Sequence, residues 1–352
     1  MQGGMNPAMR FADPLEPTEV EKAGTAYDCG AVPSGAVVLG DTVAAGFGDG
    51  VLRLFRPGRD PQALRAHLGA ILSIAADPSG DFVLTGGDDG RFVRTDATGE
   101  TEEIEGFGSK WVDAVAVTPG GGMACSVGKT VHLWDSGDHR HSLDHPSTVG
   151  GLAFDPKGER LAVGHYGGVT LWTKARRGWK PSALKWAGSH LGVRFSPDGK
   201  YVVSIMQENA LHGWRLRGKT NMRMSGYPAK VKSMDWVGSA PHLVTSGADT
   251  AICWPFDGKD GPMGRGPLMV AGRGKALATA VAGLPGHDAV VAGYKDGSIL
   301  YSELDESAEP LLISRRGGEA ITCLAVTPNT GWLFAAAEDG RVLWAPLDGE
   351  GA

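Results

Sequence analysis

The sequence predicts an all-β fold, because three regularities indicate one antiparallel unit that is repeated along the chain. Gly and Pro make up 54 and 21 of the 352 residues, about a fifth of the chain, whereas average usage is roughly 12%. A β-rich segment that follows a tight turn recurs at intervals of 38 to 47 residues. Turns that contain Pro and Gly recur at one place in the repeats. Because such a period is typical of four-stranded blades arranged in a ring, we predict a single closed β-propeller.

The recurring segment is the third strand of each unit. It reads GDGVLRLF, GKTVHLWD or EDGRVLWA, a tight turn followed by apolar residues in a strand pattern that ends near an aromatic residue. The copies begin at Gly48, Asp88, Gly128, Tyr166, Glu208, Ala248, Lys295 and Glu338. We therefore prefer eight blades.

Pro-containing turns connect the first two strands of the unit. Pro fixes φ at the second turn position, and Gly or Asn accepts a positive φ, so each turn is typical of a hairpin. An apolar run such as residues 71–76 precedes the turn and another such as 82–85 follows it. The turns begin at Asp77, Thr118, Asp155, Ser196 and Thr327. With a variable loop and a more polar fourth strand, each unit becomes one antiparallel blade.

The last blade lacks a fourth strand of its own, since the sequence ends at Ala352 soon after the eighth copy. Residues 25–30 can supply that strand by pairing beside residues 341–345, which would close the ring and cover an edge that invites aggregation. The organisation is then an N-terminal tail over 1–24 and a propeller domain over 25–352. Seven blades is the alternative, if the weakly patterned unit 36–55 packs elsewhere.

These repeats resemble the WD-repeat β-propeller family, as a degenerate, bacterial-type, single-propeller member. The Trp-Asp pair is intact at Trp134-Asp135, and the loop histidine of the family is matched at His67 and His145. The Trp alone is kept at Trp172, Trp214, Trp254 and Trp344. The resemblance implies a scaffold for protein–protein interaction, in which a rigid ring presents unlike loops to a partner.

Motifs for catalysis are absent from the sequence. GKT at Gly128 lacks the earlier glycine of a phosphate loop and precedes a strand, and there is no Gly-x-Ser-x-Gly elbow. We expect no enzyme, no cofactor and no resident metal. The alternative is a metal-binding or enzymatic propeller in which His165, His190 and Glu208 converge at the channel mouth.

Cysteine usage and hydropathy indicate a cytoplasmic address. The four Cys residues are widely separated, no apolar run is long enough to cross a membrane, and the first residues lack a secretory pattern. We expect a monomer that binds a protein or peptide and no membrane.

The loop face around the central channel is the first candidate binding surface, because family members commonly dock partners there. Trp111 is the main candidate anchor, since a Trp at such a rim has no obvious core to fill. The candidate residues are Trp111, His165, Tyr166, His190, Gln207, Glu208, Lys230, Asp249 and Lys275.

A basic sector is the second candidate surface. Residues 173–232 carry 13 Lys or Arg and two acidic residues, a balance of +11, while the other residues carry 21 basic and 38 acidic ones, a balance of −17. An acidic peptide would fit this sector. Nucleic-acid binding through 173–232 is an alternative that the overall charge of −6 disfavours. The basic patch consists of Lys174, Arg176, Arg177, Lys180, Arg215, Arg217, Lys219 and Arg223.

Overall fold

The structure is a computed structural model that describes residues 16–135, 140–272, 274–315, 317–329 and 331–347. These residues form one short helix, α1 (Glu19–Ala23), and thirty strands arranged in seven antiparallel sheets. Except for β1, strands that follow one another along the chain lie side by side in their sheet. This is the all-β propeller architecture that the repeats predict.

The first three sheets have four strands each. Sheet 1 contains β2 (Pro33–Leu39), β3 (Thr42–Phe47), β4 (Val51–Phe55) and β5 (Gln62–Arg65). Sheet 2 contains β6 (Ile71–Ala76), β7 (Phe82–Gly87), β8 (Arg91–Asp96) and β9 (Thr101–Gly106). Sheet 3 contains β10 (Ala114–Val117), β11 (Met123–Val127), β12 (Thr130–Trp134) and β13 (Arg140–Asp144).

Sheet 4 has six strands, and the next two sheets return to four. Sheet 4 contains β14 (Gly151–Phe154), β15 (Arg160–Lys174), β16 (Trp179–Phe195), β17 (Tyr201–Met206), β18 (Ala210–Arg215) and β19 (Thr220–Ser225). Sheet 5 contains β20 (Met234–Val237), β21 (His242–Thr245), β22 (Ala251–Pro255) and β23 (Leu268–Val270). Sheet 6 contains β24 (Ala278–Gly283), β25 (Ala289–Tyr294), β26 (Ile299–Glu303) and β27 (Leu311–Ser314).

Sheet 7 joins the two ends of the described chain. It contains β28 (Ile321–Val326), β29 (Trp332–Ala337), β30 (Arg341–Pro346) and β1 (Thr25–Asp28). In this sheet β1 lies antiparallel to β30, with Thr25 opposite Trp344 and Asp28 opposite Arg341. Just before β1, α1 begins with a capping box in which the Thr18 hydroxyl accepts a hydrogen bond from Glu21 N, and the Ser314 hydroxyl donates to Glu21 Oε1 at 2.7 Å.

The prediction of eight separate four-stranded blades is wrong, because the described residues form seven sheets. All eight recurring segments lie in strands, but the fourth and fifth share sheet 4. No loop separates them, since β16 runs without a break from its pairing with β15 to its pairing with β17. The seven-blade alternative gives the correct number of sheets, but it did not predict that one sheet would contain six strands.

Strand β15 also changes partner along its length. Its first half pairs with β14 and its second half with β16. Gly167 and Gly168 have φ values of 92° and 142°, which glycine adopts without strain. The chain bends back there, so that Lys174 N donates to Glu159 O at 2.8 Å. Tyr166 is thereby placed on a turn at one face of the ring.

The core is divided into apolar clusters between neighbouring sheets, with the first strands packed side by side around the centre. The cluster between sheets 1 and 7 shows that the ring closes: β2 packs beside β28, and the ring centroids of Phe55 and Phe334 are 4.9 Å apart. Buried aromatic pairs of this kind stabilise a closed ring beyond the area they bury.

Candidate functional site

Two kinds of segment meet at one face of the ring, which we call the upper face. These are the segments that lead into each first strand and the turns between second and third strands. Gly48 N donates to Val32 O at 2.8 Å, and Glu338 N donates to Ala320 O at the same distance. At Gly50 a Cβ atom would lie 2.4 Å from His67 O, so the turn can approach the next segment only with glycine. Backbone contacts therefore hold the turns and entry segments of the upper face together, and this face does not depend on side-chain contacts for its shape.

Four large apolar side chains are exposed on this face, along sheets 1 to 4. The exposed fractions are 55% for Val32, 80% for Leu68, 59% for Trp111 and 66% for Tyr166. We call these four residues the apolar arc. Each of sheets 1 to 4 thus presents one of these side chains on the upper face, and exposed apolar surface of this kind is found at interaction sites.

The two members of the apolar arc that we predicted from sequence, Trp111 and Tyr166, lie in segments that are held by backbone hydrogen bonds. Tyr166 N donates to Ser147 Oγ at 2.9 Å. Beside Trp111, Val112 is fully buried and its N–H donates to Gly87 O at 3.0 Å. The Trp111 side chain is thus presented by a rigid segment without being part of the core.

The remaining surface candidates of the upper face are polar and lie farther around the ring, with Lys230 partly buried and the others exposed. Lys230 Nζ donates to Gln207 Oε1 at 2.9 Å, so two of the predicted residues are in direct contact. Glu208 lies over Gly188, where a Cβ atom would come within 3.1 Å of its carboxylate oxygens. Asp249 and Lys275 are exposed on sheet 5 and just before sheet 6, respectively.

His165 and His190 lie below this surface, because both side chains are buried. His165 Nε2 lies 2.8 Å from Thr170 Oγ1, and His190 Nδ1 lies 2.6 Å from Ser204 Oγ. Burial lowers the pKa of His190 below its usual value. Both rings are therefore engaged in hydrogen bonds of the sheets. Within the described ranges, no group of three or more His, Cys, Asp or Glu side chains could hold a metal ion.

The basic patch lies on the opposite, lower face and on the rim. The loops after β15 and β18 start beside the turns between first and second strands, as shown by Leu216 N, which donates to Lys200 O at 2.9 Å. Two patch residues form ion pairs: Lys174 with Asp135 at 3.4 Å and Arg215 with Asp260 at 2.9 Å. The other six patch residues are exposed and form no ion pair with an acidic residue that the structure describes: Arg176, Arg177, Lys180, Arg217, Lys219 and Arg223. The structure therefore does not join the two candidate surfaces.

Comparisons with known proteins agree with this architecture. The family described as "WD domain, G-beta repeat" matches residues 58–93 and 311–344. The Chromatin assembly factor 1 subunit FAS2 homolog of Oryza sativa subsp. japonica is 27% identical over 119 residues, which are 32% of this chain and 24% of that protein. The crystal structure of the computationally designed Ika8 protein superposes with a TM-score of 0.70 at 19% identity, over 90% of this chain and 97% of that chain.

Two segments of this β-propeller therefore match the WD-repeat family. The family match lies at both ends of the described ring, and the fold closes between them. WD-repeat propellers are generally scaffolds for protein interaction and are typically non-catalytic. The aligned part spans about a quarter of the rice relative, so that similarity concerns a segment only. The single helix among the described residues is too short to cross a membrane.

Histidine has a structural role in this propeller, and only part of that role was predictable from the sequence. At His67, Nδ1 lies 2.9 Å from Asp89 Oδ1 and Nε2 lies 2.8 Å from Thr85 Oγ1. At His145, Nε2 accepts the indole N–H of Trp172 at 3.0 Å. His190, which we predicted at the binding face, bonds in the same way to a hydroxyl of the second strand.

Tyr227 was missed altogether. Its hydroxyl lies 2.7 Å from Thr245 Oγ1 and accepts from Trp254 Nε1 at 2.7 Å. Tyr227 lies ten residues before the last residue of β20, and His67 lies nine residues before the last residue of β6. That spacing was the available signal. In sheet 5 a tyrosine therefore takes the place of the histidine, and its hydroxyl makes hydrogen bonds to side chains of the second and third strands.

Proposed function

We propose that this propeller is a docking platform without catalytic activity of its own, and that a protein or peptide partner binds to its upper face. The observation that carries the proposal is the apolar arc, whose four side chains are more than half exposed on one rigid face. Covering such side chains releases water, and aromatic anchors dominate the binding energy of many interfaces. Trp111 would be the main anchor.

Polar side chains around the ring would set the specificity of the upper face. Lys110 is exposed beside Trp111, and the Lys230–Gln207 pair, Asp249 and Lys275 present further charges and hydrogen-bonding groups. An apolar centre with a polar surround is the usual anatomy of a protein interface. The partner we propose therefore has an apolar contact region flanked by charges of both signs.

We also propose that the protein works as a monomer in the cytoplasm. Its four cysteines are free, and Cys125, Cys253 and Cys323 are buried in the sheets. Structural cysteines of secreted proteins are commonly paired in disulfides, whereas cytosolic thiols stay reduced.

Affinity purification with mass spectrometry tests the docking proposal. We expect Trp111→Ala and Leu68→Ala to reduce recovery of the wild-type partners at least tenfold while the unfolding transition stays unchanged. Lys230→Glu should weaken recovery by a smaller factor. Leu311→Ala is the matched control, since Leu311 is 61% exposed but lies on the outer strand β27. Equal partner recovery by Trp111→Ala and Leu311→Ala would contradict the proposal.

A further inference from the structure

A groove lies at the rim between sheets 4 and 5, away from the upper face. It runs along β19 and is walled by the loop over 257–267, with a volume of about 430 Å³, within the range of about 300–1,000 Å³ that is usual for ligand sites. We call it the rim groove. Its main lining side chains are Met222, Arg223, Met224, Trp254, Met263 and Arg265.

The floor and wall of the rim groove are apolar. Met222 and Met224 are buried in the cluster between sheets 4 and 5, and Trp254 packs against the same cluster. The Trp254 N–H is already bonded to Tyr227, so Trp254 contributes ring surface rather than a donor. Met263 is 53% exposed on the wall. Methionine side chains adapt to irregular apolar partners because they are flexible and polarisable.

The margin of the rim groove is positively charged. Arg223 is exposed and has no acidic partner within ion-pair distance among the described residues. Arg265 shares its charge with Asp257. A ligand that binds here therefore gains from negative charge placed beside apolar groups.

The backbone of β19 offers a third kind of contact. Within the described chain β19 pairs with β18 on one side, and its other edge borders the groove. In an antiparallel strand, alternate residues direct their N–H and C=O groups away from the partner strand. An extended peptide can form backbone hydrogen bonds with such an edge, and every second side chain of the peptide then points towards the groove.

We propose that the rim groove binds an extended peptide segment in which Leu or Met alternates with Asp or Glu, and that the segment adds to β19 as a further strand. Its apolar side chains would enter the groove between Met263 and Trp254, and its carboxylates would face Arg223 and Arg265. The proposal rests on the docking function above, but it concerns another surface, so either one can fail without the other.

Fluorescence anisotropy with a defined probe tests this proposal. The probe is a fluorescein-labelled peptide, Glu-Asp-Leu-Glu-Met-Asp-Leu-Glu-Asp, titrated with the full chain. We expect saturable binding that Met263→Ser and Arg223→Glu each weaken at least tenfold. Met269→Ser and Arg217→Glu are matched controls, since Met269 is 56% exposed on β23 and Arg217 is exposed outside the groove lining. The controls should change the Kd less than threefold.

Two altered peptides test the backbone contacts and the charge contacts separately. N-methylation at alternate backbone positions of the peptide should weaken binding at least tenfold if the peptide adds as a strand, and replacement of its acidic residues by Lys should abolish binding. Absence of saturable binding, or equal loss in the groove variants and in their controls, would overturn the proposal. So would Arg223-dependent binding of a twenty-residue oligothymidylate by a protein that ignores the peptide, because the ligand would then be nucleic acid.

Discussion

Trp254 donates its indole N–H to the hydroxyl of Tyr227 at 2.7 Å, and that hydroxyl lies 2.7 Å from Thr245 Oγ1. The Trp172 indole donates to His145 in the same manner. A buried tyrosine hydroxyl can therefore replace an imidazole as the polar link between strands, because it both donates and accepts. Burial raises the pKa of Tyr227 to about 12, which keeps the hydroxyl protonated at neutral pH.

Tyr227→Phe should destabilise the protein by about 1–3 kcal/mol, because the Trp254 N–H and the buried Thr245 hydroxyl would each lose a hydrogen-bond partner. Tyr227→His should retain more stability, since imidazole has this role beside Trp172. Urea unfolding followed by Trp fluorescence measures the difference. Tyr166→Phe, at a 66% exposed tyrosine, is the control and should unfold like the wild type. If both Phe variants unfold at the same urea concentration, Tyr227 does not have this role.

The repeat period was enough to predict the strands, because turn residues act locally. The number of sheets was not predictable in this way. Whether two neighbouring units form separate sheets depends on the backbone between them, and here β16 continues without a loop through Gly188, whose φ is 112°. The repeat period predicts how many units the chain contains, but it does not predict whether a loop interrupts the strand between two neighbouring units.

The candidate site was predictable where exposure follows from a position on the ring, as at Trp111 and Tyr166. It was not predictable at His165 and His190, because a loop position does not reveal that a hydroxyl such as Thr170 Oγ1 lies within reach. Leu68 was missed because an isolated leucine in a strand-rich sequence suggests a core position. Its 80% exposure becomes evident only with the neighbouring turn in place.

His212 should make the stability of the protein depend on pH. Its ring is fully buried and stacks on Trp186 at 3.9 Å, and neither of its nitrogens has a hydrogen-bond partner among the described residues. Burial, together with the charges of His190 and Arg223, lowers its pKa to about 4. As pH falls below about 6.5, the unfolded chain therefore takes up a proton that the folded chain refuses.

His212→Phe should keep the stacking and remove this proton uptake. Between pH 6.5 and 4 we expect the wild type to lose about 2–3 kcal/mol more stability than the variant does. Urea titrations at several pH values measure both curves, and His287→Phe, at an exposed histidine, is the control. Parallel curves for the wild type and His212→Phe would show that the buried ring does not titrate as described.

Gly24 should be essential for seating the N-terminal strand. A Cβ atom there would lie 2.5 Å from Ala345 Cβ on β30, and φ at Gly24 is −93°, so space and not backbone strain forbids a side chain. Gly24→Ala should cost about 1–3 kcal/mol and promote aggregation through the uncovered β30 edge. Gly266→Ala, where no heavy atom lies within 4 Å of the new Cβ, is the control. Thermal unfolding and light scattering distinguish the two variants, and equal behaviour would mean that β1 does not depend on this contact.

Thiol labelling should separate Cys29 from the other three cysteines. Burial raises the pKa of Cys253 to about 12 and of Cys323 to about 11, and it also raises the pKa of the buried Cys125. Cys29 is only half-buried. Because the thiolate is the reacting form, a thiol with a pKa near 11 is about one part in a thousand ionised at pH 8.

With Ellman's reagent at pH 8 we therefore expect one thiol to react in the folded protein and the other three to react only after urea is added. Cys29→Ser should remove the first phase and leave the second unchanged, which assigns the phases without assuming how fast each one is. Rapid reaction of all four thiols without denaturant would mean that the sheets open on the time scale of labelling. The rigid ring on which the docking proposals rest would then be wrong, whichever surface the partner uses.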